Sequence, residues 1–217
     1  MTLALFDLDN TLLKGDSDHA FGEFLCQKNV VDSEHFKRAN DQFYLDYQRG
    51  TLDISAYIKF ALSPLTTLSA AKRFALQAEF MTDIVEPMIL TKGVELLNKH
   101  RREGHTIVII TATNRFVTGP IARRLGVSHL IATEPEVIDG RYTGKHTGTP
   151  CFQEGKISCL NLWLSEHNES LADSYFYSDS ANDLPLLKLV TYPVAVDPCP
   201  RLSEYAQKHA MPIISLR

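Results

Sequence analysis

Two aspartates, Asp7 and Asp9, follow the short apolar run Leu3-Ala4-Leu5-Phe6. Along an extended chain that spacing puts both side chains on one face. Another carboxylate, Asp179, comes after Tyr175-Phe176-Tyr177, and a hydroxyl, Thr111, ends the run Ile107-Val108-Ile109-Ile110. In an open parallel sheet, ligands bind beyond the carboxyl ends of the strands, so three such tips predict one shared crevice. Carboxylates crowded there repel one another and hold their protons more tightly unless a cation neutralises them. Hard oxygen donors suit Mg²⁺.

The elements that must position these groups are readable from periodicity. Residues 15–86 show no strand pattern and read as successive amphipathic helices. Phe21, Phe24 and Leu25 form one stripe; Phe36, Ala39, Phe43 and Tyr47 form a second. Ile54, Tyr57, Ile58, Ala61 and Leu62 follow Asp53 as N-cap, and Ala71, Phe74, Ala75 and Ala78 lead on toward Ile84. Gly50 and Ser63-Pro64 are expected to punctuate this helical insert. Beyond residue 87, helices over 93–103, 115–125 and 156–166 alternate with short strands at 107–110, 130–132, 175–177, 194–196 and 213–214. Asp139-Gly140 marks a type I′ hairpin turn. Apolar strands alternating with helices predict an α/β fold with a parallel sheet covered on both faces.

Asp7-Leu8-Asp9-Asn10-Thr11 resembles the DxDxT signature of haloacid dehalogenase (HAD) superfamily phosphatases. Thr111 after its strand fits their second motif, and Lys156 at the start of a helix fits the third. Ser178-Asp179-Ser180-Ala181-Asn182-Asp183 fits the acidic fourth. The order is that of the family, and the helical insert lies where the phosphoserine-phosphatase-like subgroup carries its cap. The resemblance covers essentially the whole chain. It implies a Rossmann-like core of residues 1–14 and 87–217, with an all-helical C1-type cap of residues 15–86. It also implies roles. Asp7 is the expected nucleophile, forming an aspartyl-phosphate, and Asp9 the general acid and then base. Mg²⁺ is expected on Asp7, the Asp9 carbonyl and Asp179. Thr111 and Lys156 would hold phosphoryl oxygens, Asp183 would orient Lys156 or a metal-bound water, and Asn10 would offer its backbone N–H. Many relatives have Gly-Asp-Gly at the fourth motif; Ser178-Asp179-Ser180 predicts a stiffer loop. Taken singly, Thr111 and Asp183 also read as helix caps and Lys156 as a solvated lysine.

Substrate choice falls to the stretch Lys14-Gly15-Asp16-Ser17-Asp18-His19 and to the cap. Phosphoserine phosphatases carry a Glu nine residues after the nucleophile to receive an ammonium; here that offset is Asp16. They also need a cap arginine for the substrate carboxylate, and nothing in the sequence points Arg38, Arg49 or Arg73 into the site. DLDNTLLKGDSDHAFGEFL, TATNRFV and YSDSANDLPLL resemble more closely a bacterial group of histidinol-phosphatases. Histidinol phosphate has an ammonium for Asp16 or Asp18 and no carboxylate. The resemblance therefore implies a small amine-bearing phosphate monoester, histidinol phosphate first, phosphoserine or a broader set second. A dehalogenase of the same fold would lack the acid at Asp9. A phosphoryl-accepting receiver domain would lack the insert at 15–86.

The remaining composition narrows the partners. In 217 residues, 22 Lys and Arg against 26 Asp and Glu give a net charge of −4, no bulk electrostatic reason to bind nucleic acid or anionic lipid. The apolar opening is interrupted by Asp7 and Asp9 and lacks a basic flank, so it is not expected to be a secretory signal. No run approaches a membrane span. Cys26, Cys151, Cys159 and Cys199 lack CxxC spacing, and reduced thiols in a cytoplasmic protein are the expectation. The eight histidines form no HxH or HExxH pattern.

Overall fold

Every residue of β1 (Leu3–Phe6) is buried, because this strand lies in the middle of the sheet and packs on both faces. The computed structural model describes residues 2–217. The other strands are β2 (Thr106–Asn114), β3 (His129–Ile138), β4 (Arg141–Thr147), β5 (Tyr175–Ser178), β6 (Tyr192–Val196) and β7 (Ile213–Ile214). They form one seven-stranded sheet in the order β4-β3-β2-β1-β5-β6-β7, parallel except for β4, which turns back on β3. That reversal is the expected hairpin: Asp139 and Gly140 both have positive φ, 49° and 74°.

Alternation along β1 sorts the core into two layers. Ala4 and Phe6 face Phe21, Phe24 and Leu25 of α1 (Ser17–Gln27), Leu97 of α6 (Thr91–Arg102) and Ile121 of α7 (Arg115–Arg124). Leu3 and Leu5 face Leu160 and Trp163 of α8 (Glu154–His167), with α9 (Leu184–Leu187) and α10 (Pro200–Lys208) completing that side. The fold is therefore Rossmann-like, with helices on both faces of a predominantly parallel sheet.

Between β1 and β2 the chain runs through α1, α2 (Ser33–Arg49), α3 (Ile54–Thr67) and α4 (Ala70–Phe80). A π-helical turn at Met81–Val85 and the short α5 (Glu86–Met88) follow. Helices α2 and α3 are joined by aromatic rings, Phe36 on Phe60 at 4.3 Å and Phe43 against Tyr57 at 5.4 Å. The chain leaves and re-enters the sheet side by side: Leu13 bridges Ile89, Lys14 N–H donates to Met88 O (2.7 Å), and Leu90 N–H to Leu12 O (3.1 Å). No helix of the described residues is long and apolar enough to cross a membrane.

Two local expectations fail. Ser63-Pro64 does not break the insert; α3 runs through Pro64. Proline cannot donate to the carbonyl four residues back, but the Ser63 hydroxyl supplies that bond to Phe60 O at 2.8 Å. The expected stripe of α4, Ala71, Phe74, Ala75 and Ala78, faces solvent, with Phe74 68% exposed. The buried stripe is Arg73, Leu76 and Phe80. Arg73 belongs there because its guanidinium donates to the carbonyls of Leu65, Leu68 and Gly140 and lies over the Tyr142 ring.

Candidate active site

Strand pairing brings the predicted tips together. Phe6 is in register with Ile109 of β2 and Tyr177 of β5, and Asp7 N–H donates to Tyr177 O at 2.9 Å. Asp7 thus leaves the sheet beside Ser178, with Thr111 and Asp179 just beyond. The chain then turns sharply: Leu8 O accepts from the amides of Thr11, Leu12 and Leu13, and Asn10 adopts φ 58°, which asparagine tolerates. This turn corrects the expectation for Asn10. Its N–H is directed to Gly15 O at 2.8 Å rather than toward a phosphoryl group.

Two aspartates hold one buried lysine. Lys156 Nζ lies 2.8 Å from Asp7 Oδ1 and 2.8 Å from the Asp183 carboxylate, and these carboxylates hold its pKa above the ordinary range despite burial. Asp183 also accepts from Ser178 Oγ at 2.7 Å and makes no capping bond to α9, so it serves Lys156 and not the helix. The Ser178 hydroxyl in turn accepts from Ser180 N–H (3.1 Å), wiring the glycine-free loop. The Thr11 hydroxyl stands 3.3 Å from Asp7 Oδ2 and 3.4 Å from Asp179 Oδ1, and accepts from Asp179 N–H at 3.1 Å. Sequence reasoning gave Thr11 no role, although it is the last letter of the first motif.

Burial pushes the Asp7 carboxyl up to about 7, opposed by Lys156. Burial, then the charges of Asp7 and Asp183, holds Asp179 well above the carboxylate range. The buried Asp7 and half-buried Asp179 carboxylates, tied to one hydroxyl with a single lysine beside them, form an oxygen-rich and under-neutralised set that fits a hard dication such as Mg²⁺. The Asp9 side chain is not part of that set. Its Oδ1 accepts from Ser17 N–H (2.6 Å) and its Oδ2 from Thr113 Oγ1 (2.8 Å), so only its carbonyl is left for a metal. Burial and then the Asp16 charge push the Asp9 carboxyl up to about 7, where it can both give and take a proton near neutrality.

A narrow cavity opens from these groups toward the helical insert. Asp7, Asp9, Thr111 and Thr113 form its floor, Asp16, Asp18 and His19 one wall, and Phe43, Tyr44, Tyr47 and Tyr57 the roof. Asp16 caps α1, accepting from Asp18 N–H (3.0 Å) and His19 N–H (2.8 Å); Asp18 accepts from Asn114 Nδ2 (3.2 Å) and the Tyr57 phenol. Burial pushes both carboxyls to about 7. The His19 ring is held 2.8 Å from Asp41. Among the described residues, no arginine or lysine lines this cavity. Arg38 pairs with Glu34 on the surface, Arg73 is spent on the hairpin, and Arg49 offers only its carbonyl, to Arg201. The roof aromatics escaped the sequence reading, which saw Phe43, Tyr47 and Tyr57 only as apolar stripe positions.

The haloacid dehalogenase-like hydrolase family model matches residues 4–188. Over 219 residues the chain is 43% identical to a histidinol-phosphatase of Neisseria meningitidis serogroup C (strain 8013), covering 99% of each. It is 32% identical to phosphoserine phosphatase SerB1 of Mycobacterium tuberculosis (strain ATCC 25618 / H37Rv), covering 99% of this chain and 70% of that one. A crystal structure of a Bordetella pertussis Tohama I protein of unknown function superposes with a TM-score of 0.93 at 44% identity, covering 100% of both chains.

Proposed function

The chain belongs to the haloacid dehalogenase-like hydrolase family, as a phosphatase, and on that premise we propose that it hydrolyses a small amine-bearing phosphate monoester, histidinol phosphate fitting best. The observation that carries this reading is the cavity itself: Asp16 and Asp18 with an aromatic roof and, among the described residues, no arginine or lysine in its lining. Carboxylates and aromatic faces attract an ammonium or an imidazolium. A substrate carboxylate would enter unpaired beside them, at a cost of desolvation and repulsion. The 43% identical histidinol-phosphatase supports the same choice, and the 32% identical phosphoserine phosphatase supports phosphoserine as the second reading.

In this reading residues 15–86 are the cap and residues 1–14 and 87–217 the core. Asp7 attacks phosphorus while Asp9 protonates the departing alkoxide, giving an aspartyl-phosphate. Asp9, now ionised, takes a proton from water, which cleaves that intermediate. Lys156 and Thr111 hold phosphoryl oxygens, Asp183 positions Lys156, and Thr11 fixes Asp7 relative to Asp179. A Mg²⁺ ion on Asp7, Asp179 and the Asp9 carbonyl would lower the charge repulsion between carboxylate and phosphate.

The test is phosphate release from histidinol phosphate and phosphoserine in parallel, with Mg²⁺ and with EDTA. We expect kcat/KM for histidinol phosphate to exceed that for phosphoserine by at least about 100-fold, the cost of leaving even one buried polar group unpaired. Phosphoserine hydrolysed equally well would reject the substrate assignment while leaving the phosphatase chemistry intact. Undiminished turnover in EDTA would reject the metal.

A further inference from the structure

At the opposite end of the sheet from Asp7, α6 ends at Arg102 and the chain turns through Gly104 (φ 74°) into β2. Three side chains converge on this turn. His100 Nδ1 and His105 Nδ1 lie 2.8 Å apart, and Glu103 Oε2 lies 4.0 Å from the first and 3.7 Å from the second. A point equidistant from three atoms so spaced is about 2.1 Å from each, the bond length of zinc to imidazole nitrogen or carboxylate oxygen.

The surroundings support a ligand set and not a chance encounter. His100 is 1% exposed, and its Nε2 lies 2.9 Å from the Tyr177 hydroxyl. A proton on Nε2 donated to that oxygen leaves the Nδ1 lone pair aimed at the turn, the arrangement that outer partners impose on metal-bound histidines. The His105 ring is stacked on Tyr175, which fixes it as well. Glu103 turns its other oxygen toward Lys99, 4.0 Å away. Glu103 and His105 are partly exposed, so an ion has a route in and water can complete its shell. A second cluster, His19 with Glu23 and Asp41, differs because Lys37 already neutralises it, 2.7 Å from Glu23 and 3.6 Å from Asp41.

We infer that His100, Glu103 and His105 form a binding site for a borderline transition-metal dication, zinc by preference, distinct from the phosphoryl site. Two imidazole nitrogens and one carboxylate favour zinc over Mg²⁺ or Ca²⁺. A bound ion ties the end of α6 to the start of β2 and, through Tyr177, to β5. It lies away from the strand tips that hold Asp7 and Asp179, so its effect is on stability and not on turnover.

The full chain, stripped with chelator and kept in excess Mg²⁺, is titrated with Zn²⁺ by calorimetry, with Co²⁺ as spectroscopic stand-in. One Zn²⁺ per chain, a rise in Tm and visible Co²⁺ bands are expected. His105→Ala, and independently the conservative Glu103→Gln, should each weaken binding at least about tenfold and remove the rise in Tm. Mg²⁺-dependent phosphate release measured without zinc should be unchanged in both. If the wild type takes up no zinc, the two imidazoles share only a hydrogen bond and the site does not exist. Zinc binding that survives both substitutions also overturns it.

Discussion

Asp7, Asp9 and Asp16 are the same residue type in one cavity, and their partners set them apart. Asp7 faces Lys156 and the Thr11 hydroxyl, and Asp9 is gripped by Ser17 and Thr113. Asp16 is bonded to backbone amides at the start of α1. Asp7→Asn removes the proposed nucleophile and keeps the shape; phosphate release should fall by about three orders of magnitude or more while circular dichroism stays native. Full activity would take Asp7 out of the mechanism. Asp16→Asn is a sharper experiment, because asparagine caps a helix as well as aspartate does. The substitution removes the charge and leaves the cap. KM for histidinol phosphate should rise about tenfold, the worth of one charge-assisted hydrogen bond, and KM for an aryl phosphate should barely move. Equal effects on both substrates would make Asp16 a capping residue only.

At the scale of elements, the strands and the order of the motifs were legible, because a central parallel strand must be apolar on both faces and must end where polarity begins. The hairpin was legible too, since Asp139-Gly140 admits positive φ at both central positions. What stayed hidden depended on contacts distant in sequence. Ser63 rescues the helix around Pro64, Arg73 is buried in place of Phe74, and the cavity roof is built from rings that look like ordinary core stripes. Asn10 is instructive: its place in the motif was plain, yet its amide closes the turn on Gly15. Arg73 also links the insert to the β3–β4 hairpin through Gly140 O and the Tyr142 ring. Arg73→Ala strands the three carbonyls it serves and should cost about 2–3 kcal/mol in urea unfolding. A loss under about 0.5 kcal/mol would mean that water replaces the guanidinium freely.

For the molecule as a whole, the acidic cavity couples stability to protons and, in the proposed mechanism, to Mg²⁺. The carboxyls of Asp7, Asp9, Asp16 and Asp18 rise from 3.8 to about 7 on folding, so the folded chain binds protons more tightly than the unfolded one. That contribution is fully present below pH 3.8 and is lost as pH rises through about 7. In EDTA, Tm should therefore carry a falling component between pH 5 and 8 that Asp16→Asn reduces. The Tm increment from Mg²⁺ should be larger at the upper end, where protons no longer compete for the carboxylates. An increment independent of pH would mean that the metal binds elsewhere.

In the proposed mechanism the strand tips act together on one ester, and Asp7 carries the phosphoryl group between two half-reactions. The most direct measurement is an acid quench of the enzyme during turnover of histidinol phosphate, followed by proteolysis at low pH and mass spectrometry of the N-terminal peptide. A gain of one phosphoryl group on Asp7, labile at alkaline pH and absent in Asp7→Asn, is the expected result. An enzyme that turns over with no acyl-phosphate on that peptide, or with the phosphoryl group on another residue, would contradict it.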